Sequence, residues 1–319
     1  MTHSPILVLA TPDDSALSVL QPPPAGERFV VGWQPQELLP AAPEAEIIVS
    51  CSASGTQLEP LFRAAPKLRW VHSLSAGLDT LLFPALVESP VVLTNARGVY
   101  SASLGEWVMA SVLFFAKEMR RLVESQERGI WDIYEPRWVR GTTMGIVGYG
   151  DIGRACATLG RAFGMNVLAV RRKPEPDPLC DEVLGLDRIR DVMARSDYVV
   201  VILPLTPQTR HLVGAAEIAA MKRDAVFVNI GRGPAVDEAA LVEALRAGRI
   251  RGAALDVFEK EPLPDGHPLY SLKNVFLSAH CADRVPTWRT DSMRVFVENL
   301  ARYRAGQPLL NVIDKSRGY

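Results

Sequence analysis

Short apolar runs separated by polar turns dominate the first hundred residues. Residues 6–10, 29–32, 47–51, 68–73 and 91–95 are each brief and rich in Val, Ile or Leu. Apolar runs of that length are what strands covered on both faces of a parallel sheet require. Prolines at 22–24, 40 and 43 fall between them and mark loops. A long helix is predicted from Ser103 to Glu127, opened by Ser103 and Glu106 at capping-box spacing. Its apolar surface is broad, so it is expected to pack between domains or against a second subunit. From Met144 a second series begins at 144–147, 167–170, 198–203, 225–230, 253–257 and 275–279. Six apolar strands with helical segments between them describe a doubly wound α/β sheet. A helix over 285–304 and a short extended end at 309–313 complete the reading, with no tandem repeat.

Length changes the picture first: 319 residues suit two domains rather than one. The composition, 48% hydrophobic and 22% charged with a formal net charge of -1, is that of a soluble globular protein. That balance offers no electrostatic reason for a nucleic-acid or membrane partner. The N-terminus lacks a basic segment ahead of its apolar run, so no signal peptide is expected. The apolar stretch 108–116 is too short to span a bilayer. Cys51, Cys156, Cys180 and Cys281 are scattered without a CxxC pair. They read as reduced thiols of a cytoplasmic protein, with no metal site.

Candidate chemistry starts at Gly148, Tyr149, Gly150, Asp151, Ile152 and Gly153, a GxGxxG that follows a strand and opens a helix. The first glycine makes the tight turn and the second lets the backbone approach a pyrophosphate. The third lets helix and strand pack closely, and the helix N-terminus supplies N–H groups for the anion. About twenty residues on, an NAD site presents Asp or Glu to the ribose hydroxyls. This chain instead has Arg171, Arg172 and Lys173, starting eighteen positions after Gly153. Guanidinium groups there can grip a 2′-phosphate bidentately, so NADPH is favoured over NADH; solvated loop charges are the plainer alternative.

Three later strands end in polar groups. Arg232 follows the fourth of the second series, Glu261 the fifth and His280 the sixth. Open α/β sheets bind ligands at such carboxyl ends. Reducing a keto acid needs a cation for the carboxylate and keto oxygen, an acid to protonate that oxygen, and an anion to keep an imidazole charged. Arg, His and Glu fill those roles. His3, His72, His211 and His267 lack such company, though His72 precedes a loop of interest and is a candidate to line the site.

From about Ser75 to Gly306 the chain resembles the D-isomer-specific 2-hydroxyacid dehydrogenases, most closely their NADPH-dependent glyoxylate and hydroxypyruvate reductases. The matching pieces are residues 75–79, 145–153, 203–209, 229–233, 252–264 and 278–280. The resemblance implies a Rossmann nucleotide-binding domain, 101–283, inserted into a flavodoxin-like substrate domain made of 1–100 and 284–319. It places the catalytic roles on Arg232, Glu261 (rather than Glu259) and His280, and the substrate carboxylate on the backbone of Ser75, Ala76 and Gly77. The cofactor contacts fall on Gly148 to Gly153, Arg171, Arg172, Leu203, Pro204, Thr209, Ile230, Gly231 and Asp256. It further implies a 2-keto or 2-hydroxy acid as small-molecule partner and a homodimer.

The sequence departs from the family at Arg171, where an acidic residue is usual, and at Ser278-Ala279, where Thr-Pro is usual. Leu74, Tyr100, Trp131, Trp138 and Trp288 are candidates to shape the substrate pocket. A cofactor-sensing, corepressor-like binding protein on the same fold is the alternative. The intact Arg–Glu–His set and the lack of long extensions argue against it. A formate or phosphonate oxidiser is disfavoured because Ala76 offers no cation.

Overall fold

The structure, a computed structural model, describes residues 3–51 and 54–318. The chain forms two units: the first runs to Tyr100 and resumes at Val285, and the second is Ser101–Arg284.

In the first unit β1 (Ile6–Leu9), β2 (Phe29–Gly32), β3 (Ile47–Ser50), β4 (Trp70–Ser73) and β5 (Val92–Asn95) form one parallel sheet, ordered β2-β1-β3-β4-β5. That 2-1-3-4-5 order is flavodoxin-like. Every residue of β1, β3 and β4 is buried, which explains runs without polar alternation. The last helix, Trp288–Arg304, starts three residues later than expected and lays Phe296 on Trp70, ring centroids 5.3 Å apart. The expected extended end at 309–313 is not a strand: Thr94 and Val312 form a single antiparallel bridge, and Ile313 N–H donates to Leu93 O at 2.9 Å.

The second unit holds β6 (Thr143–Val147), β7 (Asn166–Val170), β8 (Glu182–Leu184), β9 (Tyr198–Val201), β10 (Val226–Asn229), β11 (Gly252–Leu255) and β12 (Val275–Leu277). All pairs are parallel and the order is β12-β11-β10-β9-β6-β7-β8. The order reverses at β6, next to β9, which is the Rossmann switch point where dinucleotides bind. β8 was not expected: three residues at a sheet edge, headed by Glu182, carry too little apolar pattern to be read.

The helix expected over 103–127 is two helices, Ser101–Ala116 and Met119–Glu127, separated at Glu118, whose φ of 50° is left-handed. Arg251 Nη2 donates to the carbonyl of Phe115, and the Glu118 N–H turns back to that same oxygen, so the helical ladder stops there. The expected capping box is also absent, because the helix begins at Ser101 and Ser103 Oγ donates instead to Ala282 O at 2.7 Å. The first of these helices packs on Asp151–Ala162, with Gly105 so close that a Cβ there would lie 3.3 Å from Leu159.

Candidate active site

The sequence-predicted catalytic and cofactor residues of the second unit follow the carboxyl ends of its strands. Successive strand ends are tied together there. Ile202 N–H donates to Val147 O, Ile230 to Val201 O, Asp256 to Asn229 O and Ser278 to Leu255 O, at 2.8–3.2 Å.

The loop after β6 has the shape of a phosphate cradle. Gly148 has φ of 102°, and a Cβ on it would lie 2.5 Å from Ile202 O, so only glycine fits. A Cβ on Gly150 would meet nothing within 4 Å, which leaves open space in front of the Asp151–Ala162 helix. Its first-turn N–H groups have no intrahelical acceptor, so the cradle fits an anion of pyrophosphate type. Two expected contacts take another form. Tyr149 is turned inward and buried, which pushes its phenol pKa up, and its N–H donates to Val170 O. The Asp151 carboxylate accepts from Ser101 Oγ.

Arg171 and Arg172 follow β7 directly. Arg171 is half-buried, its N–H fixed to Leu184 O at 3.0 Å, and its charge acts on Tyr149 of the cradle; Arg172 is exposed. Leu203 and Ile230 are buried past the ends of β9 and β10. Gly231 lies against the loop that carries Leu203, where a Cβ would be 2.7 Å from Leu203 N. Thr209 Oγ1 donates to Pro204 O at 2.6 Å, so its hydroxyl braces the loop that starts with Pro204.

The His–Glu pair forms across chain segments. His280 Nδ1 lies 2.7 Å from Glu261 Oε2, while Glu261 Oε1 accepts the Phe258 N–H at 2.9 Å. The Glu261 bond raises the His280 pKa; burial and the Arg232 charge oppose the rise, and Asp256 adds to it. For Glu261 burial pushes the carboxyl up, but the His280 bond, the Phe258 N–H and the charges of His280 and Arg232 outweigh it and the net shift is downward. Both shifts favour the imidazolium–carboxylate form of the pair. Arg232, half-buried, donates from Nη1 to Gly231 O at 2.8 Å and acts electrostatically on both partners. Glu259 is engaged elsewhere, 2.9 Å from His211 Nε2.

Two residues near the pair were given no role by the sequence. Ser278 Oγ donates to Asp256 Oδ1 at 2.6 Å. Asp283 is half-buried, and burial raises its pKa although the His280 charge pulls it down.

In the first unit Ser75, Ala76 and Gly77 follow the end of β4; Ser75 N–H donates to Ser73 Oγ and Asn95 Nδ2 to Ala76 O. His72 does not line a site. It is wholly buried in β4, with Nδ1 2.7 Å from Thr94 Oγ1, and burial pushes its pKa down to about 3. Leu74 and Tyr100 are also buried, joined by a bond from the Tyr100 hydroxyl to Leu74 O. Trp288 packs against Tyr100 with Arg289 over its ring. Trp131 and Trp138 of the second unit are 92% and 78% exposed, so neither shapes a pocket within its unit.

A parallel sheet with a glycine cradle at its switch point and an ion-paired histidine on the same edge defines a nucleotide-dependent oxidoreductase. The family model for the D-isomer specific 2-hydroxyacid dehydrogenase NAD binding domain matches residues 109–282. A glyoxylate reductase of Aeropyrum pernix is 35% identical over 88% of this chain and 86% of its own. The glyoxylate/hydroxypyruvate reductase B of Citrobacter koseri is 36% identical over 98% of both. A crystal structure of a D-isomer specific 2-hydroxyacid dehydrogenase from Xanthobacter autotrophicus, in complex with NADPH and MES, superposes with a TM-score of 0.83 at 32% identity over the whole of both chains. The chain belongs to the D-isomer specific 2-hydroxyacid dehydrogenase family and is an NAD(P)-binding enzyme.

Proposed function

We propose that the protein reduces a small 2-keto acid of the glyoxylate or hydroxypyruvate kind to the D-2-hydroxy acid, with NADPH as reductant. The observation that carries the reading is the His280–Glu261 pair beside Arg232 on the cofactor edge of the sheet. Relatives that are glyoxylate and glyoxylate/hydroxypyruvate reductases support the substrate class. The NADPH in the Xanthobacter structure supports the cofactor.

When bound, the dihydronicotinamide supplies the hydride. His280, with Nδ1 committed to Glu261, presents Nε2 as the proton donor to the keto oxygen, and Glu261 keeps the ring charged until the proton leaves. Arg232 binds the carboxylate and shares the developing alkoxide charge with His280. The resemblance assigns the backbone of Ser75, Ala76 and Gly77 to the same carboxylate. The cradle and first helical turn hold the pyrophosphate, Arg171 and Arg172 hold the 2′-phosphate, and Leu203, Ile230 and Asp256 line the nicotinamide.

A homodimer is part of this reading, supported by Val123, Ile130, Trp131, Ile133 and Trp138, which expose large apolar side chains along one segment. Four free thiols support a cytoplasmic setting. Oxidation of NADPH and NADH by the purified protein, against glyoxylate, hydroxypyruvate, pyruvate and phenylpyruvate, tests the reading. Rapid NADPH consumption with one of them is the expected outcome. Tight cofactor binding without turnover of any would move the assignment to a cofactor-sensing protein.

A further inference from the structure

His280 occupies a backbone conformation that an L-residue rarely takes, with φ of 49°. A left-handed histidine is disfavoured by its Cβ and persists only where its surroundings dictate it. The chain also carries Ala279 rather than a φ-restricting proline just before it. Something else therefore has to hold the turn.

That restraint is one side chain and its own carbonyl. Asp256, 2% exposed just past the end of β11, accepts four hydrogen bonds from the five-residue segment 278–282. Its Oδ1 takes Ser278 Oγ at 2.6 Å, Cys281 N–H at 2.9 Å and Ala282 N–H at 3.2 Å. Its carbonyl takes the His280 N–H at 2.8 Å. The histidine is thus bracketed before, at and after its own position. On the far side Ser103 Oγ holds Ala282 O, and Arg284 N–H closes the turn onto Cys281 O at 3.0 Å.

Charge-assisted bonds to a buried carboxylate are about twice as strong as neutral ones, and three on one oxygen fix it in place. We propose that Asp256 is a positioning residue: it clamps the 278–282 turn in the left-handed conformation that aims the His280 imidazole, beyond any contact it makes with nicotinamide. The proposal rests on His280 being the proton donor. A displacement of about 1 Å in a catalytic group costs on the order of a hundred-fold in rate, so the clamp acts on kcat. Glu261, Arg232, Asp256 and Asp283 are the charged groups that act on the imidazole, and only Asp256 holds the backbone on which it stands.

The test compares Asp256→Ala, Asp256→Asn and Ser278→Ala, the last a milder change should the first not fold. Amide exchange is read by mass spectrometry on the cofactor-free protein, together with steady-state kinetics and fluorescence titration of NADPH. In Asp256→Ala, exchange across 280–282 is expected to rise by about ten-fold or more. Its kcat is expected to fall by about a hundred-fold, while KM for the keto acid changes by less than about three-fold. Asp256→Asn, which keeps an acceptor oxygen, restores part of both, and Ser278→Ala shows the same pattern on a smaller scale. Unchanged exchange in all three variants, with a loss confined to NADPH affinity, overturns the proposal. Faster exchange in variants of a parent that reduces no 2-keto acid supports the clamp and removes the proton-donor reading instead.

Discussion

His72 and His280 belong to two parallel sheets and lie on opposite sides of the point where a strand ends. His72 is inside β4, sealed between neighbouring strands with Trp70 and Phe296 against it, and burial pushes its pKa down to about 3. His280 stands three residues past β12, still 41% exposed at its side chain, and the Glu261 carboxylate moves its pKa the other way. The same imidazole is held neutral by burial in one place and pushed toward its charged form by a carboxylate in the other. What separates them is whether the strand leaves room for a carboxylate to reach the ring.

Removal of each ring gives the widest separation. His280→Ala is expected to lower kcat by about a hundred- to ten-thousand-fold while NADPH affinity stays near the parent's, measured by steady-state kinetics and fluorescence titration. Loss of cofactor binding in that variant would erase the contrast with His72.

Next in size is the partner. Glu261→Gln removes the group that raises the His280 pKa and is expected to cost about ten- to a hundred-fold in reduction at neutral pH. The sign is fixed by the chemistry: reduction needs the imidazolium, so its rate falls as pH rises through the raised His280 value. In Glu261→Gln that fall moves to lower pH. A pH–rate profile that does not move would show that the carboxylate does not tune the acid.

Arg171→Ser together with Arg172→Ser leaves both histidines untouched and sharpens the comparison by isolating the cofactor. The ratio of NADPH to NADH efficiency is expected to drop about ten- to a hundred-fold, the worth of charge-assisted bonds to a phosphate. An unchanged ratio would make these arginines solvated loop charges.

The smallest catalytic effect belongs to His72. His72→Gln is expected to leave kcat within about two-fold and to show itself in thermal unfolding instead. A base held neutral by burial binds fewer protons folded than unfolded between about pH 6.5 and about pH 3, so the fold loses stability as pH falls through that window. Replacing His72 should flatten that slope. A large loss of kcat would return it to the site.

The strand series was legible because burial on both faces leaves apolar runs such as Ile47–Ser50 and Tyr198–Val201 with no polar interruption. The cradle was legible for a related reason. A glycine under Ile202 O cannot be replaced, so the requirement is written at Gly148 itself. β8 and the break at Glu118 were not legible, since one needs the β7 edge to pair with and the other needs Arg251, more than a hundred residues away, to take a helix carbonyl. Within the site, the residue types Arg232, Glu261 and His280 could be picked out along the chain. The roles of Ser278 and Asp283 could not.

By itself the sequence determined the α/β class, the alternation of the buried strands with helices, and which residue types stand at strand ends, because those follow from local pattern and from backbone positions with one permissible residue. The tertiary structure alone decided that His72 is core and that the Asp256 carboxylate accepts the bonds of the 278–282 turn. Each of those depends on segments brought together by burial of the sheet, and distance across a fold leaves no trace in spacing along the chain.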